Sequence, residues 1–311
     1  MTSTAIASAA GAVVQLVGGI VLAPLLPGLI QYWKARLQGR PGPSPLQPYR
    51  ELRRLWRKST VDVAGATAVY RLAPSLAAAS LLGAIGLVPV VADSPDLGVG
   101  HDVIALIGLL AIARFALAAA AWDTGSGFSL MGASRDLTIS VFTEVALLLA
   151  VTVAAIVTRT TSLTGMISGT AGGHVWSSPA LPLGTAAFAL VVIAETGRQP
   201  FDNPDTHLEL TMIHEGPLLE YAGRDLAYLH WVSAARHWLL LVLAAVLFLP
   251  HPHGTWAQLA LLPAELVAMC AALAVAETLM VKMRLLLAPR LLGIAAVVAL
   301  LGIVARQAGI S

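Results

Sequence analysis

Eight apolar runs dictate what this chain can become. Taken in order they cover about residues 5–32, 72–92, 102–122, 137–157, 183–194, 226–249, 256–281 and 291–305. Most reach the ~20 residues that a bilayer-spanning helix needs, and they lack the alternating ten-residue pattern of an outer-membrane barrel. With 57% hydrophobic and 12% charged residues, the 311-residue chain also has too little polar surface for a soluble globule. It reads as an all-α, polytopic membrane helical bundle of about eight transmembrane helices. No internal repeat or linker divides it, so a single transmembrane domain is expected over residues 1–311. The first run is too long for a signal-peptide core and has no basic start, which predicts a retained helix.

The basic residues give the bundle a direction. Residues 34–58 hold eight Lys or Arg against one Glu, which marks this loop as cytoplasmic. Its Gly/Pro-rich part, residues 39–45, predicts a rigid turn, and residues 49–58 a short basic amphipathic helix along the headgroups. The alternate loops are poor in Lys and Arg. Of nineteen basic residues only Arg159 and Arg306 fall on the external side, so both termini are expected outside. Residues 123–136, DTGSGFSLMGASRD, have neither the lysine nor the preceding strand of a phosphate loop, and are expected to be a plain connection.

Charge inside the apolar runs points to function. Arg114 stands ~18 Å into a ~30 Å core, from where it could snorkel to the cytoplasmic face or enter a buried pair. Burying an ionised carboxylate costs several kcal/mol, so Glu144, Glu265 and Glu277 are expected to face inward, to be linked to water or to be protonated, as in proton relays. Glu277, a turn or so from Lys282, could instead reach the headgroups. The densest polar stretch is residues 195–214, ETGRQPFDNPDTHLELTMIH, where two prolines break the helix that ends at Glu195. Arg198, three residues on, could pair with Glu195 when that carboxylate is ionised. His207 and His214 are seven apart and would share a helical face, yet an interface role accounts for them better than metal ligation. Cys270 is the only cysteine, so the chain offers no disulfide and no Cys/His cluster. No catalytic motif, metal site or nucleic-acid surface is expected.

Three segments resemble one family, the respiratory complex I subunit 1 family, also known as the H type of NADH dehydrogenase membrane subunit. Residues 40–47 are similar to its first cytoplasmic loop, Gly-Pro followed by Leu-Gln-Pro. GFSLMGASRD at 127–136 resembles its Ser-Leu-x-Gly-Ala-x-Arg segment, with Glu144 in the matching position on the next helix. Residues 195–202 resemble its Glu-Thr, Arg, Pro-Phe-Asp motif, the most specific of the three. Where complex I members continue with a run of acids, this chain reads THLELTMIHE, which resembles the formate hydrogenlyase and hydrogenase-4 branch.

That resemblance implies a membrane-anchoring, ion-translocating subunit of a membrane-bound nickel-iron hydrogenase or formate hydrogenlyase-like complex in a bacterial or archaeal plasma (inner) membrane. The chain itself would carry no cofactor and would not be a complete enzyme; Ni-Fe and iron-sulfur centres would sit in its partners. The partners implied are hydrogenase-like large and small subunits, an iron-sulfur subunit and antiporter-like membrane subunits. Glu144, Glu195, Glu265 and Glu277 are the proton-path candidates. Arg40, Arg53, Arg54, Arg198, Asp202, Asp205, Glu209 and Glu215 are the candidates for contact with the peripheral arm. Two alternatives stay open: the quinone-site subunit of NADH-quinone oxidoreductase, with its quinone cavity, and a stand-alone secondary transporter.

Overall fold

The computed structural model describes residues 13, 15–89, 102–171, 173–202, 213–252, 255–281, 283–284 and 287–309. Its helices are α1 Gln15–Leu37, bent by a turn at Ala23 and Pro24, α2 Gln47–Trp56, α3 Ala68–Leu87, α4 Val103–Asp123, α5 Gly127–Thr158, α6 Leu163–Thr170, α7 Ala180–Glu195, α8 Gly223–Phe248, α9 Thr255–Leu279 and α10 Ala288–Gln307. Seven of them, α1, α3, α4, α5, α8, α9 and α10, are long and apolar enough to cross a membrane, and α7 is a shorter apolar helix. The chain is a multi-pass helical membrane protein.

α8 is the axis: 78% of its most apolar window is buried inside the bundle, against 28% for α9. Around it, α3 pairs with α4, α9 with α1, and α5, α7 and α10 pack on one another. The basic helix α2 is seated on α1 and α8 through Leu55 and an edge-on contact between Trp56 and Tyr228, with ring centroids 5.1 Å apart. Asp123, the last residue of α4, accepts the N–H groups of Thr67 at 2.8 Å and Tyr70 at 3.0 Å, so the end of α4 caps the start of α3.

Two local results position the polar site. The first is a correction: residues 127–136 are the opening turns of the 32-residue α5 and not a connection. Gly132 within them lies against Gly216 of the loop before α8, where an added Cβ would sit 2.6 Å from the Gly216 Cα. Its glycine therefore serves a close approach between helix and loop, and Asp136 becomes a residue of the helix. The second is the length of α7. Sixteen residues make about 24 Å, short of the ~30 Å hydrocarbon core, so the end that carries Glu195 need not reach the surface.

Candidate functional site

The end of α7 opens a buried charge network. Arg114 of α4 is 5% exposed and reaches Glu195 at 2.5 Å, Glu144 of α5 at 3.5 Å and Asp136 of α5 at 3.8 Å. Arg114 stands nine residues before the end of α4 and Asp136 nine after the start of α5, so the antiparallel pair brings them level, about 13 Å from the turn. Arg236 of α8 adds a second guanidinium, 3.4 Å from Glu195, and donates to the Leu110 carbonyl at 3.1 Å. Charges so buried persist only when paired, which this geometry provides, with one hydrogen bond from Arg114 to Glu195, while the Arg114 Nε has no hydrogen-bond partner among the described residues. Arg114 is thus a buried pair and not a snorkelling side chain.

His214 closes the network on the loop side. Its Nδ1 lies 2.8 Å from the Asp136 carboxylate and its Nε2 3.3 Å from the Ala194 carbonyl. Burial works against charge on this ring, but the bond to Asp136 and the negative charges of Asp136 and Asp202 together outweigh it, and the pKa of His214 is raised above its ordinary value. Gly197, held at φ +62°, leaves room for the His214 ring where any side chain would collide with it. A cavity of about 170 Å³ lies here, lined by Arg114, Asp136, Glu195, Asp202, His214 and Arg236 among others.

A second cluster lies on the other side of the same loop. Glu277 of α9 is 3% exposed and sits between Lys34 of α1, at 3.1 Å, and Arg198, at 2.8 Å. Arg198 therefore pairs with Glu277 and not with Glu195, and Glu277 does not reach the headgroups. The geometric reason is the sharp turn through Thr196 and Gly197, which sends residues three apart in sequence to opposite sides. A cavity of about 350 Å³ between α1, α2 and α8 adjoins this cluster and includes Gln31, Glu51, Thr196, Arg198, Glu215, His230, Ser233 and His237 in its wall. Thr196, Glu215, His230 and Ser233 line both cavities, so the two are neighbours across a shared wall.

The remaining candidates are dispersed. Glu265 on α9 is half-buried and enters neither cluster. Asp202 is buried and accepts the Ile213 N–H at 3.3 Å. Arg40 is exposed and donates to the Gln38 side chain at 2.9 Å. Arg53 and Arg54 are exposed on α2, where with Arg50 and Arg57 they form one arginine stripe, Arg54 also bonding Glu51. Asp205, Glu209 and His207 lie outside the described residues. Among the described residues no group of three or more His, Cys, Asp or Glu converges as a metal ion would require.

Sequence reasoning missed Asp136, Arg236, Lys34 and His237. The signal for Arg236 was present, an arginine followed by the apolar run from Trp238 to Phe248; Asp136 was hidden by reading its segment as a connection, and Lys34 by counting it with the loop.

The comparisons with known proteins agree with this architecture. The chain is 35% identical over 260 residues to hydrogenase-4 component C of Escherichia coli (strain K12), covering 82% of this chain and 80% of that protein. It is 32% identical over 277 residues to formate hydrogenlyase subunit 4 of the same strain, covering 87% and 89%. In fold it matches a chain of the membrane-bound sulfane sulfur reductase, an archaeal respiratory membrane complex, with a TM-score of 0.83 over 96% of this chain and 99% of that one, at 22% identity. An NADH-quinone oxidoreductase chain of the H type from Rhodopseudomonas palustris (strain BisB5) is 29% identical over 229 residues, covering 71% and 70%. The family model described as NADH dehydrogenase matches residues 10–306, nearly the whole sequence, and the chain belongs to that family.

Proposed function

We propose that the chain is the membrane-anchoring, ion-translocating subunit of a membrane-bound nickel-iron hydrogenase or formate hydrogenlyase-like complex in a bacterial or archaeal plasma membrane. One observation carries the ion-translocating part: the Arg114 network joins four helices and a cavity-lining loop in one buried, polar, ionisable path. The hydrogenase part is supported by the resemblance to hydrogenase-4 component C and formate hydrogenlyase subunit 4. Glu144 and Glu195 then carry protons, with Glu277 on a separate branch and Glu265 the least connected candidate. The exposed Arg40, Arg53 and Arg54, with Glu215, Asp205 and Glu209, are the candidates for contact with a peripheral arm of hydrogenase-like and iron-sulfur subunits. Ni-Fe and iron-sulfur centres belong to that arm, and antiporter-like subunits continue the path within the membrane.

Native purification with identification of the co-purifying subunits tests the partners. Reaction-driven proton uptake into vesicles tests the path: Glu195→Gln keeps the complex assembled but impairs translocation per turnover, and normal pumping by that variant removes Glu195 from the path. A second reading, the quinone-site subunit, is favoured by the cavity between α1, α2 and α8 and by the NADH-quinone oxidoreductase relatives. Quinone-dependent activity without hydrogenase partners would select it.

A further inference from the structure

The Arg114 network does not say how the branch that carries Glu277 would exchange protons. Lys34, Arg198 and Glu277 are each buried, and they tie α1 and α9 to the loop after α7. Two cations, Lys34 and Arg198, flank the Glu277 carboxylate. Next to them stands His237, 4% exposed, whose Nε2 has no hydrogen-bond partner among the described residues. Buried polar groups are served by protein or by water, and His237 and Arg198 both line the 350 Å³ cavity, which has ample room for several waters at ~30 Å³ each.

The cavity wall is mixed, with Pro24, Pro27, Pro48 and Leu52 among its polar groups. On α8, His230, Ser233 and His237 follow at helical spacing and line one cavity wall, so the face of the helix is a polar stripe. Gln31 lines the opposite side from α1, one turn before Lys34, and Glu51 and Glu215 complete the charged and titratable groups around the cavity. Behind Arg198 stand Glu277 and Lys34, with Cys270 two turns from Glu277 on the same helix. Water in the cavity between α1, α2 and α8 therefore has in its wall both an imidazole and a guanidinium bonded to a buried carboxylate. An imidazole can take a proton on one ring nitrogen and release one from the other, which an amide in the same place cannot do.

We propose that His237 passes protons between the cavity of α1, α2 and α8 and the buried Lys34–Arg198–Glu277 cluster, giving the chain a second proton entry beside the one at Arg114. The inference rests on the ion-translocating reading above. In the step itself a hydronium of the cavity water gives a proton to one ring nitrogen and becomes water, and the proton on the other nitrogen passes through water to the Glu277 carboxylate, which becomes a neutral carboxyl while Arg198 stays protonated.

The test uses the whole native complex in inverted vesicles, with proton uptake measured per redox turnover and subunit content measured alongside. His237→Gln, which keeps hydrogen bonding but cannot relay, lowers the proton yield by roughly half as two entries become one. His237→Gly shows the same loss, and millimolar imidazole restores it, wild-type complex in the same buffer correcting for the effect of imidazole on the gradient. An unchanged yield in an assembled His237→Gln complex overturns the proposal. So does a loss in His237→Gly that imidazole leaves in place, because His237 would then be a packing residue. A wild-type complex that moves no protons at all fails the broader reading instead, and that control separates the two failures.

Discussion

Arg114 serves three carboxylates, and the energetics of such a residue are asymmetric. The intact network offsets its own desolvation, whereas removing one partner leaves uncompensated buried charge worth about 3–5 kcal/mol. Arg114→Gln is therefore expected to lower the stability of the detergent-solubilised protein by about that amount, and the double variant with Glu195→Gln to recover part of it. Melting curves decide this, and a single variant as stable as wild type contradicts the network. His214 makes a prediction with a sign. Its folded pKa is raised above the unfolded value near 6.5, so its bond to Asp136 stabilises fully below about pH 6.5 and is lost as the pH rises through the folded value. The stability gap between wild type and His214→Gln should be widest in acid and close toward alkaline pH; a gap that does not vary with pH removes the linkage. Which residues carried buried charge was legible from their presence in apolar runs, but their partners were not. Depth along one helix let Arg114 snorkel, because that arithmetic knows nothing of Glu195 waiting at the end of a short neighbour.

At the scale of elements, spans and the amphipathic α2 were legible because apolar length and basic spacing are local properties. α5 was not: Gly127, Ser129, Gly132 and Ser134 have the composition of a turn, and only contact with Gly216 explains Gly132 inside a helix. Gly132→Val tests this. Overpacking there is expected to cost about 1–3 kcal/mol by separating α5 from the loop, and with it Asp136 from His214. Gly86→Ala, on α3 with open space around it, is the matched control and should leave the melting curve unmoved. Equal effects of the two substitutions would mean that the close approach does not hold the site.

For the whole molecule, the distribution of basic residues predicts that introduced cysteines near Ser94, Gly172 and Gly254 label from outside intact cells, while those near Ser44 and Asn203 stay protected. Labelling at position 44 would invert the bundle. Orientation is expected from the charge near helix ends, whereas the pairing of distant helices depends on a third dimension that no loop count contains. That pairing also has a consequence for biogenesis. Helices leave the ribosome one after another, and an unpaired charge hinders entry into lipid. Arg114 meets Asp136 and Glu144 on the very next helix, so α4 and α5 can enter the bilayer as one neutralised hairpin long before Glu195 and Arg236 exist. The bond between Lys34 and Glu277 forms late: Glu277 is made more than two hundred residues after Lys34, and α1 and α9 cannot be joined by it until most of the chain has been synthesised. The Lys34–Glu277 bond across the α1–α9 seam thus forms only after every member of the Arg114 network has been made.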